Sequence, residues 1–464
     1  MVPKDWKKAI VSPIYKKGSK HLAENYRPIS LTSIICKLME TLIKKVIMKH
    51  LEDHNLLSTK QFGFINGKST TLQLLVYLEK CIETIANGGV VDSIYMDFAK
   101  AFDKVPHRRL IGKLKSYGIK GEICKWIEEF LNERSQVVIV NGVESISAPV
   151  VSGIPQGSVL GPILFIIYIN DLLDTISSAG LLFADDTKIF SPVNSIEDSI
   201  SLQNDLYILE NWSSTWLLEF NSEKCHVLTL GKLENIIHAH RYTIYGKELD
   251  HVFEEKDLGV TIDSNLNFED HIASKVKKAN AIMGLIRRSF TYLSCETFKK
   301  LYVTFVRPHL EYAQVVWAPH LKKHITMIEN VQRRATKLVD GLSNLEYHER
   351  LMRIDLPTLV YRRARGDMIE IYKHFNIYKT DVIPPSFQPR HRISRKHNLQ
   401  LTQLLSKDGV RGVQTNLFYF RCAKMWNNLP AQVVNAANMN CFKNQLDIHW
   451  SNVSFKYEYT KKVH

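Results

Sequence analysis

The sequence predicts an α+β fold, and three observations carry that prediction. From about residue 91 to 230, short apolar runs alternate with helical stretches. Within that region Leu181-Leu182-Phe183-Ala184-Asp185-Asp186-Thr187-Lys188-Ile189-Phe190 sets two apolar runs on either side of a polar junction, the pattern of a buried hairpin. From about residue 265 the period changes: Ile272, Val276, Ala279, Met283 and Ile286 recur at steps of four and three, one apolar stripe of a helix. Lys275, Lys277, Lys278, Arg287 and Arg288 fall mostly off that stripe.

Taken along the chain, residues 1 to about 90 mix basic loops with helices expected near Leu38–Leu51 and Thr70–Ala86. Val90, Val91 and Ile94 to Met96 read as a strand ending at Asp97, and the Ala99-Lys100-Ala101-Phe102 stretch starts a helix or turn. Ser152-Gly153-Ile154-Pro155-Gln156-Gly157-Ser158 is a Gly/Pro-punctuated loop where backbone can approach a ligand closely. An apolar run from Val159 to Tyr168 follows as a buried helix. Asn267-Phe268-Glu269-Asp270 has the chemistry of a helix cap. A later helix carries Ile328, Val331, Ala335 and Leu338, with Arg333, Arg334 and Lys337 alongside; Ile383-Pro384-Pro385 to His397 reads as a linker or exposed loop.

At 464 residues and 45% apolar content the chain is long enough for two or three domains with a sizeable core. Gly161-Pro162 breaks its longest apolar run, short of the roughly 18 residues of a membrane span. The amino terminus lacks a signal peptide's apolar core. Seven scattered cysteines without a Cys-x-x-Cys pair indicate a reducing compartment, each as a small core residue, and argue against a zinc knuckle. The net charge of +14 is unevenly placed. Residues 1–250 carry 28 basic and 28 acidic side chains, whereas residues 251–464 carry 33 and 19; within the neutral part, residues 1–50 hold 11 and 3. Basic ends around a carboxylate-bearing centre suit a protein that wraps a phosphate backbone.

Asp185-Asp186 matters chemically because two like charges side by side in a partly buried turn repel unless a cation sits between them. Hard carboxylate oxygens of this kind hold magnesium against substrate phosphates.

In order and spacing, the Asp97 segment, the Gly153–Gly157 loop and the Asp185 hairpin resemble motifs A, B and C of reverse transcriptases. The likeness is to LINE-type (non-LTR) retrotransposons of the jockey and chicken-repeat-1 kind. Asn25-Tyr26-Arg27-Pro28-Ile29-Ser30-Leu31 and Gln61-Phe62-Gly63-Phe64 are similar to the fingers motifs of that family. Phe220-Asn221-Ser222-Glu223-Lys224-Cys225 is similar to motif D, and Lys256-Asp257-Leu258-Gly259-Val260 to the primer grip. Arg307-Pro308-His309-Leu310-Glu311-Tyr312 and Trp426-Asn427-Asn428-Leu429-Pro430 resemble the region behind the polymerase.

The resemblance implies a right-hand polymerase: truncated fingers over 1–90, palm with catalytic motifs and primer grip over 91–263, helical thumb over 264–345, and a basic, mostly helical C-terminal region over 346–464. It implies an RNA-directed DNA polymerase working with two Mg²⁺ ions, or Mn²⁺, on an RNA template, a DNA primer, their duplex and dNTPs. Asp97 and Asp185 would bridge the ions, with Asp186 in support and the Phe98 carbonyl as a further ligand. Phe102 would exclude a 2′-hydroxyl by bulk. Gln156 and Gly157 would lie against nucleotide and template, Arg27 and Lys37 would contact the triphosphate, and Lys224 would protonate the leaving pyrophosphate. Asp103 is expected to make a structural hydrogen bond.

One departure stands out: many relatives have Arg after Gln-x-Gly-Phe, and this chain has Ile65. The sequence starts at residues resembling the fingers interior, and its tail offers no RNase H constellation. The expectation is therefore an endonuclease supplied by another protein or by the full-length element. An intracellular site of action, in the nucleus, is expected, with no membrane partner. The rival expectation is a catalytically silent or co-opted relic that only binds nucleic acid; the intact aspartates favour the enzyme. A telomerase or intron-maturase relative fits less well, because the tail follows the LINE pattern.

Overall fold

The computed structural model describes residues 2–231, 240–378, 397, 399–401 and 418–461. The stretch read as a linker before His397 lies outside them. Contacts divide the chain into two compact units, one of Met1–Lys68, Asp92–Val227 and Ile237–Val252, the other of Ser69–Val91, Leu228–Ile236 and Phe253–His464. The chain thus passes between units, whereas the four regions read from sequence are consecutive.

The chain opens with α1 (Lys4–Lys7), β1 (Lys8–Tyr15), β2 (Tyr26–Leu31), α2 (Ile34–Asp53) and α3 (Thr70–Ala86). Next come β3 (Val91–Met96), α4 (Ala101–Lys104), α5 (His107–Ser116), α6 (Gly121–Leu131), β4 (Arg134–Val140), β5 (Val143–Glu144) and β6 (Ala148–Val150). Then follow α7 (Gly161–Tyr168), β7 (Ala179–Phe183), β8 (Asp186–Pro192), α8 (Ile196–Trp216) and β9 (His226–Leu230). Short strands β10 (Thr243–Ile244), β11 (Lys247–Glu248), β12 (Asp250–Val252), β13 (Glu254–Asp257) and β14 (Val260–Asp263) lead to α9 (Glu269–Ser289). Helices make up most of the remaining described residues.

One sheet runs β2-β1-β4-β5, with β6 also on β4; β1 lies antiparallel to β2 and parallel to β4. A second sheet runs β12-β9-β3-β8-β7, which sets the strand before Asp97 directly beside the hairpin strand β8. Helix α7 is apolar on every side, and Ile163 to Ile169 are each at most 1% exposed. A helix of that composition is stable only when enclosed. It forms the centre of a core with Phe98, Leu110, Leu114, Phe130, Leu182 and Leu206.

In the second unit, β13 and β14 form a hairpin whose Leu258-Gly259 turn has φ of 45° and 85°. Positive φ at both central residues matches the twist of the flanking strands. Tyr312 Oη donates to the Leu258 carbonyl and Lys275 Nζ to that of Gly259, at 2.8 and 3.0 Å. The stripe expected on α9 is buried as read: Ile272, Val276, Ala279, Met283 and Ile286.

The cap of α9 is another matter. Phe268 takes the N-cap position at φ 56° without a side-chain cap bond. Asp263 instead accepts from the amides of Asn265, Asn267 and Phe268 at 2.7–3.1 Å. A carboxylate two to five residues upstream can gather those donors only once the turn is folded, so the cap motif at 267–270 did not reveal it. The cysteines also divide: Cys36, Cys81, Cys124, Cys225 and Cys422 are buried, while Cys295 is intermediate and Cys441 exposed. Among the described residues no helix is long and apolar enough to cross a membrane.

Candidate active site

β7 and β8 pair in register through Phe183↔Asp186, leaving Ala184 and Asp185 as a two-residue turn. Ala184 has φ 54°, in the left-handed region that favours glycine. Asp185 is half-buried and Asp186 exposed. Desolvation pushes the Asp185 carboxyl above its ordinary range, and the charge of Asp97 pushes it further. A hydrogen bond from its own backbone amide, then Arg27 and Lys16, act the other way.

Asp97 leaves the end of β3. Its backbone carbonyl accepts from Asn221 N at 2.7 Å, and Ala99 N donates to the Glu219 carbonyl at 2.9 Å. These two bonds close an antiparallel bridge between Phe98 and Phe220, whose rings stack at 4.4 Å. They use the Asp97 carbonyl and the Ala99 amide, not the Phe98 carbonyl. The bridge draws the 220–225 segment against Asp97, and Lys224 Nζ reaches Asp97 Oδ2 at 2.7 Å. Both side chains are partly exposed, so this pair contributes little to stability.

The Gly153–Ser158 loop is bound to the segment after Asp97 through several contacts. Ile154 N donates to the Phe102 carbonyl at 2.7 Å, Gly153 N to that of Val105 at 2.9 Å, and Gln156 Nε2 to Asp103 Oδ1 at 2.9 Å. The hydrogen bond expected of Asp103 is therefore present. Burial pushes its carboxyl upward while the Gln156 bond opposes this. Phe102 is half-buried, its ring stacked on Phe165 at 4.4 Å. Gly157 has φ 112°, and a Cβ there would meet the Ser30 carbonyl oxygen at 2.5 Å. Ser30 N donates to the Gln156 carbonyl at 2.7 Å, so the loop lies flush against β2, the strand of Arg27.

Arg27, exposed on β2, is a cation acting on the Asp185 carboxyl. Lys37 is half-buried in the first turn of α2, and Lys16, like Arg27, is a cation acting on the Asp185 carboxyl. The sequence reading did not single out Lys16; the basic 16–17 pair near the chain start was its only signal. Glu40 was missed too. It is fully buried on α2 and accepts from Val159 N at 2.7 Å and Leu160 N at 2.9 Å, the entry to α7. A signal existed: Cys36, Ile43, Ile47 and Leu51 are the buried stripe of α2, and Glu40 is the charged residue at its missing step.

Among the described residues no three His, Cys, Asp or Glu side chains gather as a ready metal-ligand group. Two carboxylates do converge. Asp97 and Asp185 lie at the ends of adjacent strands, and the charge of Asp97 acts on the Asp185 carboxyl. Hard oxygen donors with a shared excess of negative charge fit a divalent cation of the magnesium kind.

Several known proteins are similar to this chain. A Drosophila melanogaster protein named "Probable RNA-directed DNA polymerase from transposon BS" is 27% identical over 422 residues, 85% of this chain and 45% of that protein. The RNA-directed DNA polymerase from mobile element jockey is 28% identical in Drosophila melanogaster and 29% in Drosophila funebris, each over 73% of this chain and 38% of that protein. The chain thus spans less than half the length of these curated relatives. Among solved structures, apo telomerase from Candida tropicalis is similar at 10% identity and a TM-score of 0.42, over 75% of this chain and 61% of that one. The RNA-dependent RNA polymerase of a human picorbirnavirus is similar at 11% and 0.41, over 75% and 59%. The family described as Reverse transcriptase (RNA-dependent DNA polymerase) matches residues 14–296, more than half of the chain. With its three motif segments joined around Asp97 and Asp185, and relatives from jockey-type elements, this α+β chain belongs to the reverse transcriptase family.

Proposed function

We propose that the chain is an RNA-directed DNA polymerase of a non-LTR, LINE-type retrotransposon, joining dNTPs to a primer 3′-hydroxyl on an RNA template. The observation that carries this reading is the convergence of Asp97 and Asp185 from residues 88 positions apart onto adjacent strands. Two divalent ions, Mg²⁺ or Mn²⁺, would lower the charge at the α-phosphate and activate the primer hydroxyl when bound. Asp97 and Asp185 are the residues to hold them, with Asp186 and the Phe98 carbonyl in support.

The remaining roles belong to the chain's own side chains. Lys224 Nζ pairs with Asp97. Its ammonium is the group that would donate a proton to the leaving pyrophosphate. Arg27 and Lys37 supply positive charge for the triphosphate. Gln156 and Gly157 present backbone to the nucleotide, and Gln156, braced by Asp103, keeps that loop in one position. Phe102, braced by Phe165, is rigid enough to exclude a 2′-hydroxyl by contact. The partners in this reading are template RNA, primer DNA and their duplex, and the place of action is nuclear DNA.

The test is primer extension on an RNA template with Mg²⁺ or Mn²⁺. Extension by the wild type and its loss in Asp185→Asn are expected. If the purified protein binds an RNA–DNA duplex yet extends no primer, it acts only as a nucleic-acid-binding relic.

A further inference from the structure

We propose that Gln61 is a positioning residue for Asp185, acting through the strained turn that carries the carboxylate. This rests on the reading of Asp185 as a metal-holding residue.

Strand β7 ends its sheet, and residues 60–62 occupy the edge. Leu182 N donates to the Lys60 carbonyl at 2.9 Å, and Phe62 N donates to that of Leu182 at 2.8 Å. A parallel bridge therefore forms at Gln61 and Leu182. This anchors Gln61 two residues from the turn, with its side chain fully buried. Its Oε1 accepts from Gly63 N at 2.8 Å and from Ala184 N at 3.0 Å.

Ala184 is the residue held at φ 54°, and Asp185 comes next. An alanine there gains by relaxing toward negative φ, which would swing the following peptide and carry the carboxylate off its line with Asp97. The Gln61 oxygen fixes the Ala184 amide and so opposes that relaxation. Gly63 closes the same clamp from its other side. A Cβ there would lie 2.4 Å from Ala184 N, so only glycine lets the 61–63 segment press against the turn.

Among the described residues Gln61 Nε2 is buried without a hydrogen-bond partner. A buried N–H left unmade is costly, so the oxygen is what this side chain contributes. Glutamate would supply the oxygen without the orphaned N–H, but it would add a third negative charge beside Asp185 and Asp97. Glutamine is the side chain that holds the turn without raising the repulsion.

The test measures Mn²⁺ binding to the whole chain by paramagnetic resonance of the free ion, together with the Mg²⁺ dependence of primer extension. Gln61→Leu keeps the volume and removes the acceptor. Its Mn²⁺ affinity should fall about tenfold, the scale seen when an outer-shell partner of a metal ligand is lost. The Mg²⁺ needed for half-maximal extension should rise in step, while KM for dNTP at saturating Mg²⁺ stays unchanged. In an Ala184→Gly background the same substitution should cost far less, because glycine adopts the turn unaided. Gly63→Ala, which pushes on the turn directly, should also weaken Mn²⁺ binding. Unchanged Mn²⁺ affinity in folded Gln61→Leu and Gly63→Ala proteins would overturn the proposal, as would an equal loss in both Ala184 backgrounds. A wild type that binds Mn²⁺ through this clamp but extends no primer counts against the polymerase reading and leaves the clamp standing.

Discussion

Replacing Glu40 gives the sharpest test of how the Gly153–Ser158 loop and the entry to α7 are held. Its carboxylate is fully buried and accepts from the amides of Val159 and Leu160, with the Cys36 thiol at 3.6 Å. Burial and the Glu40 charge together push that thiol up to about 12, so it stays a neutral donor. Hydrogen bonds to a charged group are worth about 1.5–3 kcal/mol each, and a buried donor left behind carries its own penalty. Leu160 is fully buried, whereas Val159 is half-buried, so water can replace one of the two lost bonds. Glu40→Ala should then destabilise the entry to α7 by about 3–5 kcal/mol. Glu40→Gln keeps one acceptor oxygen and should cost about 1–2 kcal/mol. With two compact units a single global unfolding energy is ill-defined, so the assay is amide hydrogen exchange on peptides covering residues 153–168. Exchange there should accelerate by roughly a hundredfold or more in Glu40→Ala, at 1.4 kcal/mol per factor of ten. KM for dNTP should rise with it, since Gln156 and Gly157 belong to the same loop. Unchanged exchange across these peptides in a folded Glu40→Ala protein would refute the reasoning.

Asp185→Asn should stabilise the metal-free protein at neutral pH. The folded carboxyl titrates above its unfolded value, so its contribution is present below the unfolded pKa and lost as pH rises through the folded one. Asparagine removes that loss and flattens the acid-range pH dependence of melting; a lower Tm than wild type at pH 7 without metal would contradict this. Phe102→Val should admit ribonucleotides and lose the stack on Phe165, costing about 1–3 kcal/mol of stability; unchanged sugar selectivity would leave Phe102 as a packing residue. Gly157→Ala forces a side chain into a backbone at φ 112° and against the Ser30 carbonyl, at a cost of about 1–3 kcal/mol. KM for dNTP should rise by roughly tenfold, and an unaltered KM would show that the loop does not approach the nucleotide.

Much of the chain was legible without coordinates because its signals are local. The apolar period marks α9, the unbroken apolar run marks α7, and the alternation of apolar runs marks β3 and the β7–β8 hairpin. The order of the Asp97, Gly157 and Asp185 segments marks the family. What stayed hidden depends on residues distant in sequence. Lys16 acting on Asp185 and Glu40 holding α7 across 119 and 120 positions were of this kind; the Asp263 cap of α9 is local but comes from a residue upstream of the cap position itself. No local rule assigns a partner to a buried glutamate.

The sequence by itself determined which side chains this protein could use: the separated aspartates, the glycine-marked loop, the bulky Phe102 and the basic ends. Periodicity and residue chemistry are properties of neighbours along the chain, so they survive without the fold. Only the tertiary structure decided how those groups meet. Strand β3 beside β8 brings Asp97 within reach of the charge of Asp185, and the Phe98–Phe220 bridge delivers Lys224 to Asp97. The 61–63 segment locks an alanine into a turn that its own backbone disfavours. Hydrogen bonds and charge interactions act through space over a few ångströms, so their partners are set by which elements the folded core brings together.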